Sequence, residues 1–500
     1  MKKYNVFKIL TIVILLSMVL SYFIPGSSMG YSGIEKGTIM PVTFANLFSN
    51  GITTVSALIT TIIWILVIGV FYFVLKKTGR YETLVENTAS VFDTNRGLFI
   101  VITVFVLGLV TLFSGDILPM LIFVPFLFDV LQKLNFGKLS SILATLGSII
   151  IGFSGSTYTY YINQYMSLTV KDNLAAKITL GLVGLVSIVA FILVFNKNKK
   201  LNNEVRKSTM KKMIPLYVTF ILLLVFVILG FVNWNGYFGF KGFTEFLENL
   251  REAKVAKVGV FDAIFGSTIA PFGEWQTYNL GVLVMFTSIV LALIYRLKIN
   301  DFFEAVGSGL KKAFPYAVII TLANLVLVNV YSSGIFYTIA MGLTGKTVDL
   351  FTSSITSMLA SITYPDYGYA AQFTLTSLMG TAASNYEGLF AITFQAIYSL
   401  FLLISPTSIL LLFALYKTDT RYIDWIKYIG KYFLVLLLAY LLVIAVFLKG
   451  FSSSTIIFMA AIVVLLAFVI YVSRTKVSKE EPKKEEKKEV KKETKKAKKK

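Results

Sequence analysis

The chain has 500 residues, 56% of them hydrophobic and only 15% charged, with a mean hydropathy of +0.76. That composition cannot cover a water-soluble surface and points to an integral membrane protein. Histidine and cysteine are both absent, which removes disulfides, thiolate nucleophiles, Cys/His metal sites and every His-based acid/base scheme. The net charge of +21 does not indicate nucleic acid, because the Lys and Arg residues sit in short loops between apolar runs and in a terminal tail, the positive-inside pattern.

The first apolar run, Phe7 to Ile24, follows Lys2 and Lys3 but lacks a small-x-small cleavage site before Pro25 to Lys36, so it reads as a retained span. Further runs lie near residues 54–75, 97–113, 117–132, 140–153, 178–195, 214–232, 279–296, 314–331, 348–363, 388–404, 426–448 and 455–473. Each approaches the length needed to cross about 30 Å of hydrocarbon. The pattern predicts an all-α integral membrane fold with about 12 transmembrane helices.

Loop charge predicts orientation. The loop Asn196 to Met213 carries seven basic residues and one acidic, and the joints at Lys76, Lys77 and Arg80, at Arg296 and Lys298, and from Lys417 to Lys431 are also basic. These belong in the cytoplasm of a cell-membrane protein, with both termini on that side. The polar interruption Asn233 to Tyr278 has four basic and five acidic residues and reads as the outside loop. Within it Phe243, Phe246, Leu247 and Leu250 share one helical face, suited either to the membrane surface or to the protein's own outer face. From Arg474 onward the sequence is Lys/Glu-rich with few apolar residues, which predicts a disordered cytoplasmic tail.

Comparison of the halves reveals a repeat. Phe44 to Gly79 and Phe302 to Gly334 share an amphipathic lead-in, a long apolar helix and a polar break ending in Gly. The offset, about 255 residues, carries SGDILP (Ser114 to Pro119) close to YPDYG (Tyr364 to Gly368), and GFSGSTYTYY (Gly152 to Tyr161) close to SPTSI (Ser405 to Ile409). The copies start on opposite sides of the membrane, which predicts an inverted repeat. The expected segments are an N-terminal helix over 1–25, a first transport repeat over 26–213, a second over 214–473 with the outside loop 233–278, and the tail 474–500.

The four breaks are where chemistry is expected, because backbone that leaves the helix at membrane depth must be satisfied by protein or by a cavity. The first offers Asp116 between Gly115 and Pro119, though an ordinary surface turn has the same residues. The second, Ser154, Gly155, Ser156 and Thr157 continuing to Asn163, can present carbonyls to a cation and hydroxyls or N–H groups to a carboxylate; Ser and Thr also join membrane helices without any ligand. The third holds Pro365, Asp366 and Gly368. The fourth holds Pro406, Thr407 and Ser408, preceded by Gln395. In an inverted repeat the second and fourth would face each other near the midplane. Asp129 and Glu387 are weaker candidates, and Trp64, Trp234, Trp275 and Trp425 read as interfacial anchors. No P-loop, dinucleotide turn or EF-hand pattern occurs, so no cofactor is expected and the driving energy must come from a gradient.

At LSYFIPG, VLKKTG, SGDILPMLIFVP, IIIGFSGST, YPDYGYAAQFTLTSLMG and FQAIYSLFLLISPTS the chain resembles the anaerobic C4-dicarboxylate carrier-like family of the ion-transporter superfamily, which includes basic amino-acid antiporters. The likeness runs over most of residues 5–450. It departs where the family's acidic pair at the first turn is reduced to Asp116, and where Asp366 and Tyr367 replace a serine cluster. The resemblance implies two inverted repeats, each with a re-entrant hairpin or broken helix, around a midplane site for a carboxylate-bearing solute, with Na⁺ or H⁺ as coupling ion, and a homodimer. Together these readings predict a secondary active transporter, not an enzyme, moving an amino acid or C4-dicarboxylate by alternating access. Ser154, Ser156, Thr157, Thr407 and Ser408 would bind the solute or ion, and Asp116 and Asp366 would couple transport to the ion. The rival is a membrane-embedded transferase or glycan polymerase working through the outside loop, where Asp262 and Glu274 lie.

Overall fold

The computed structural model describes residues 5–30, 33–157, 169, 171–196, 213–252, 254–255, 258–266, 268–344, 349–379 and 387–449. Asn163, the apolar run 455–473 and the tail 474–500 lie outside the described residues, as does most of the basic loop 196–213. The chain forms two compact units, residues 1–425 and 426–500.

Helices dominate. In chain order they are α1 (Asn5–Ser21), α2 (Phe44–Ala57), α3 (Ile59–Lys77), α4 (Tyr81–Phe92), α5 (Arg96–Ser114), α6 (Val124–Lys133), α7 (Lys138–Ser154), α8 (Leu174–Asn196), α9 (Ile214–Phe231) and α10 (Trp234–Phe238). They continue with α11 (Gly242–Glu252), α12 (Val260–Phe265), α13 (Thr277–Ile294), α14 (Ile299–Ser333), α15 (Ile335–Thr344), α16 (Leu350–Thr363), α17 (Tyr367–Met379), α18 (Glu387–Phe401), α19 (Ile409–Thr418) and α20 (Tyr422–Lys449). Two short antiparallel hairpins interrupt them, Ser27–Gly30 with Gly33–Lys36, and Lys254–Val255 with Val258–Gly259. Among the described residues seven helices, α3, α5, α8, α9, α13, α14 and α20, are long and apolar enough to cross a membrane, and α1, α7, α16, α18 and α19 are shorter apolar helices. The chain is a helical multi-pass membrane protein.

Local sequence explains the helix ends. Thr43 caps α2, its hydroxyl accepting from the Asn46 N–H while the Asn46 side chain accepts from the Thr43 N–H at 2.9 Å. Asp349 and Thr352 form the same reciprocal pair at the start of α16. Gly79 and Gly334, the glycines matched in the sequence comparison, both carry positive φ, 68° and 64°, just past α3 and at the end of α14.

The expected spans differ from the observed helices in several places; the run 117–132, for one, forms only a 3-10 turn over Pro119–Ile122 and the ten-residue α6. The run 54–75 divides at Leu58, where α2 gives way to α3. The run 314–331 is the inner part of a 35-residue helix, α14, that passes through Pro315 without interruption. Proline forfeits one backbone donor, and the packing of α14 along α3 outweighs that loss. At their crossing the backbones touch: a Cβ on Gly309 would stand 2.6 Å from Val70 Cα and 2.8 Å from the Gly69 carbonyl, and one on Gly69 would stand 2.5 Å from Ala313 Cβ. Small residues at such a crossing let membrane helices approach closely.

The amphipathic helix of the loop, α11, turns Phe243 and Leu247 onto the protein itself. The Phe243 ring packs on Phe272 at 5.4 Å and on Trp234 at 6.2 Å, and Leu247 is buried, while Phe246 stays exposed. Of its two open readings, packing on the protein's outer face is the one adopted by these two residues.

Candidate functional site

The four breaks fall between α5 and α6, after α7, between α16 and α17, and between α18 and α19. In the first, the Asp116 carboxylate folds back to accept the Leu118 N–H at 2.9 Å. In the third, the Asp366 carboxylate accepts the Tyr369 N–H at 3.1 Å. Each aspartate therefore satisfies a backbone donor where a new helix begins, and an anion there is favoured by the amide dipoles.

The second and fourth breaks use threonine in matching ways. The Thr157 N–H and hydroxyl both donate to the Leu112 carbonyl, at 3.0 and 3.1 Å. The Thr407 hydroxyl donates to the Ile362 carbonyl at 2.7 Å, and Ser405 supports it by donating to Ser361 at 2.8 Å. Leu112 and Ile362, Asp116 and Asp366, and Thr157 and Thr407 are all separated by one constant offset. The same kind of hydrogen bond thus recurs in the two halves of the chain: in each, a threonine from the later break holds the carbonyl end of the helix before the earlier one.

Tryptophans secure the same backbone. The Trp64 indole donates to the Leu118 carbonyl at 3.0 Å and the Trp425 indole to the Leu403 carbonyl at 2.7 Å. Both side chains are 1% exposed, which corrects the expectation that they anchor the chain at the lipid interface. Their N–H groups bond to carbonyls at the broken helix ends; the Leu118 carbonyl also accepts the Leu121 N–H at 3.1 Å.

The two halves of the chain meet at Gln395. Its carboxamide nitrogen donates to the Phe153 carbonyl at the end of α7, and its oxygen accepts from the Tyr367 hydroxyl. The Tyr367 and Phe153 rings meet edge to face at 4.6 Å. The second break is therefore joined directly to Gln395 and to the third break, whereas Ser405 and Thr407 bond within their own repeat. Gly155 explains how the chain leaves α7 in so little space, since a Cβ there would stand 2.5 Å from both the Gly181 nitrogen and the Lys177 carbonyl.

The remaining expected residues fall into place around this frame. Ser154 donates to the Ile151 carbonyl at 2.6 Å, Ser156 is buried beside it, and Ser408 caps α19. Pro365 and Gly368 are buried on either side of Asp366, and Pro406 is partly exposed. Along the packed faces of α16 and α18 the hydroxyls of Ser353, Thr393, Ser399 and Tyr364 are buried without a hydrogen-bond partner among the described residues. Such atoms are uncommon in a membrane interior and give this face unused polar capacity.

Two residues carry signals that the sequence reading passed over. Lys177, on α8, is 4% exposed, and the one hydrogen bond of its ammonium among the described residues runs 3.4 Å to the Thr157 carbonyl. Tyr237, on α10, brings its hydroxyl onto both Thr157 and the Phe113 carbonyl. A lysine immediately before the predicted run 178–195 was the available clue to the first. The second comes from the loop and had none. Of the weaker candidates, Asp129 accepts from the Tyr81 hydroxyl at 2.8 Å and pairs with Lys417 at 3.5 Å, well away from these bonds, and the Glu387 side chain lies outside the described residues.

No protein-family model matches the sequence, and no curated protein matches it. Among solved structures the chain is similar to the YdaH transporter of Alcanivorax borkumensis, at 13% identity and a TM-score of 0.41, over 90% of this chain and 99% of that one.

Proposed function

We propose that the protein is a secondary active transporter that moves a small carboxylate-bearing solute, an amino acid or a C4-dicarboxylate, across the cytoplasmic membrane by alternating access. The observation that carries the reading is the pair of half-matched breaks, each with one aspartate at a helix start, joined across the repeats through Gln395 and the Phe153 carbonyl. Irregular backbone, carboxylates and amides at membrane depth are costly, and solute passage is the common reason they persist there.

The charges suit an anionic cargo taken with a cation. Lys177 places a buried ammonium beside the second break, where it would draw a carboxylate. Asp116 and Asp366 would accept H⁺ or help hold Na⁺, so that solute and ion together cross with little uncompensated charge. The unused hydroxyls of α16 and α18 are suitable donors to such a solute. The copies would lie in the membrane with opposite sense, basic loops and termini on the cytoplasmic side. This arrangement belongs with the C4-dicarboxylate carrier-like transporters that the sequence resembles. In the outside loop Asp262 is held by Arg251 at 3.2 Å, which favours a structural part for that loop over a catalytic one.

The test is uptake of labelled arginine, ornithine, aspartate, succinate and malate into proteoliposomes, with imposed Na⁺ or proton gradients or with preloaded solute. Accumulation that follows one gradient, or exchange that requires preloading, supports the reading. Vesicles that contain folded protein and move no member of the panel under any gradient count against it.

A further inference from the structure

Away from the breaks, a cavity of about 300 Å³ lies between α3, α6, α7, α14 and α19. Its rim is basic. Lys76, Lys312 and Lys417 line it against a single carboxylate, Asp129, and all three lysines are exposed. Lys417 is committed to Asp129 at 3.5 Å and lies 4.5 Å from the centre of the Phe128 ring. Lys76 rests 5.7 Å from the Phe73 ring and 5.8 Å from the Tyr81 ring, and neither it nor Lys312 enters a salt bridge among the described residues. Two cations are thus left over among the residues that line the cavity.

The walls below the rim are apolar and follow helical stripes. On α3 the lining residues Ile65, Ile68, Gly69, Tyr72, Phe73 and Lys76 recur at every third or fourth position. From Ile65 to Lys76 that stripe covers about three turns, or about 16 Å along the helix. Lys76 sits in the last turn of a membrane-spanning helix, so the rim stands at a membrane surface and the groove descends through about one leaflet of a core of about 30 Å. A small free anion would need only the rim. A groove with apolar walls one leaflet deep and a surplus of positive charge at its mouth is complementary to an amphiphile.

We infer that this groove is a binding site for an anionic phospholipid, with the headgroup phosphate on Lys76 and Lys312 and the upper part of one acyl chain along Ile65, Ile68 and their neighbours. Basic pockets between membrane helices hold anionic headgroups by this combination of charge and burial. The site is separate from the breaks, and the inference does not depend on the transport reading.

The experiment is thermal unfolding and native mass spectrometry of the full-length protein in neutral detergent. The additives are phosphatidylglycerol, phosphatidylcholine with the same chains, and glycerol 3-phosphate. Phosphatidylglycerol is expected to raise the unfolding temperature and to stay bound in the gas phase, while the other two do neither. Lys76→Gln and Lys312→Gln should each weaken its retention about fivefold. Ile68→Trp, which fills the groove without touching a charge, should remove retention even if it also lowers the unfolding temperature. Equal stabilisation by phosphatidylcholine, full stabilisation by glycerol 3-phosphate alone, or undiminished retention in both Gln variants would each overturn the assignment.

Discussion

The Gln395 carboxamide donates to the Phe153 carbonyl, so a side chain from the second half of the chain holds the last turn of a helix in the first half. That carbonyl also accepts the Ser156 N–H at 3.0 Å in the turn that closes α7, which ends one residue later, so Gln395 uses its second lone pair. The same carboxamide receives the Tyr367 hydroxyl, and the ends of two broken helices are fixed against each other by one residue.

Gln395→Ala should therefore separate the breaks without unfolding the protein. Loss of two buried hydrogen bonds costs about 1–3 kcal/mol, a modest fraction of the stability of a chain this size. Uptake is expected to fall at least about tenfold while membrane insertion and size-exclusion behaviour stay normal. Normal uptake by the alanine variant would dissociate this contact from transport.

Asp116→Asn and Asp366→Asn probe coupling. Asparagine keeps an oxygen that can accept the Leu118 or Tyr369 N–H, so local structure should survive while the charge is lost. The expected result is a protein that still equilibrates or exchanges solute but no longer accumulates it against a gradient. Comparing gradient-driven uptake with counterflow in the same vesicles checks this, and unchanged accumulation in both variants would assign the coupling elsewhere.

Lys177→Met should act on affinity. An ammonium that is 4% exposed, with one carbonyl 3.4 Å away, is costly to bury. Its removal should leave the unfolding temperature level or higher. If the charge draws the solute's carboxylate, the concentration for half-maximal uptake should rise about tenfold or more, the weight of one buried charged contact. A drop in stability with unchanged affinity would show that Lys177 is purely architectural.

Gly309→Val tests the crossing of α3 and α14. The added side chain would start 2.6 Å from Val70 Cα and 2.8 Å from the Gly69 carbonyl. Backbone atoms cannot rotate away, and the cost should reach about 1–3 kcal/mol or more. Gly281→Ala in α13, where a Cβ meets nothing within 4 Å, is the control and should be nearly neutral. Thermal unfolding of the two variants side by side measures the difference.

Hydropathy was enough to read most helices, because a membrane span is defined by its own composition. The breaks were legible too, since Gly, Pro and hydroxyl residues interrupt apolar runs at matching places in both halves. The division at Leu58 left no mark: neither glycine nor proline stands there. The reverse holds at Pro315, a residue that normally ends a helix but sits inside α14, because tertiary packing decided against local preference. Asp116, Asp366, Thr157, Thr407 and Gln395 were found as polar residues in apolar surroundings. Their partners were not, because Leu112, Ile362 and Phe153 contribute only a carbonyl oxygen, which every residue has. Trp64 and Trp425 were misplaced for a related reason. Tryptophan is common at lipid interfaces, and nothing in the sequence reveals that an exposed carbonyl lies within reach of the indole.

Those two indoles also make the protein its own optical instrument. Among four tryptophans in the whole chain, Trp64 touches the first break and Trp425 the fourth, one in each half. Indole emission responds to the loss of a hydrogen bond and to the arrival of water. Any rearrangement that opens either region would change the colour of light the unlabelled molecule gives off, and substituting Trp234 and Trp275 would leave a signal confined to those two places.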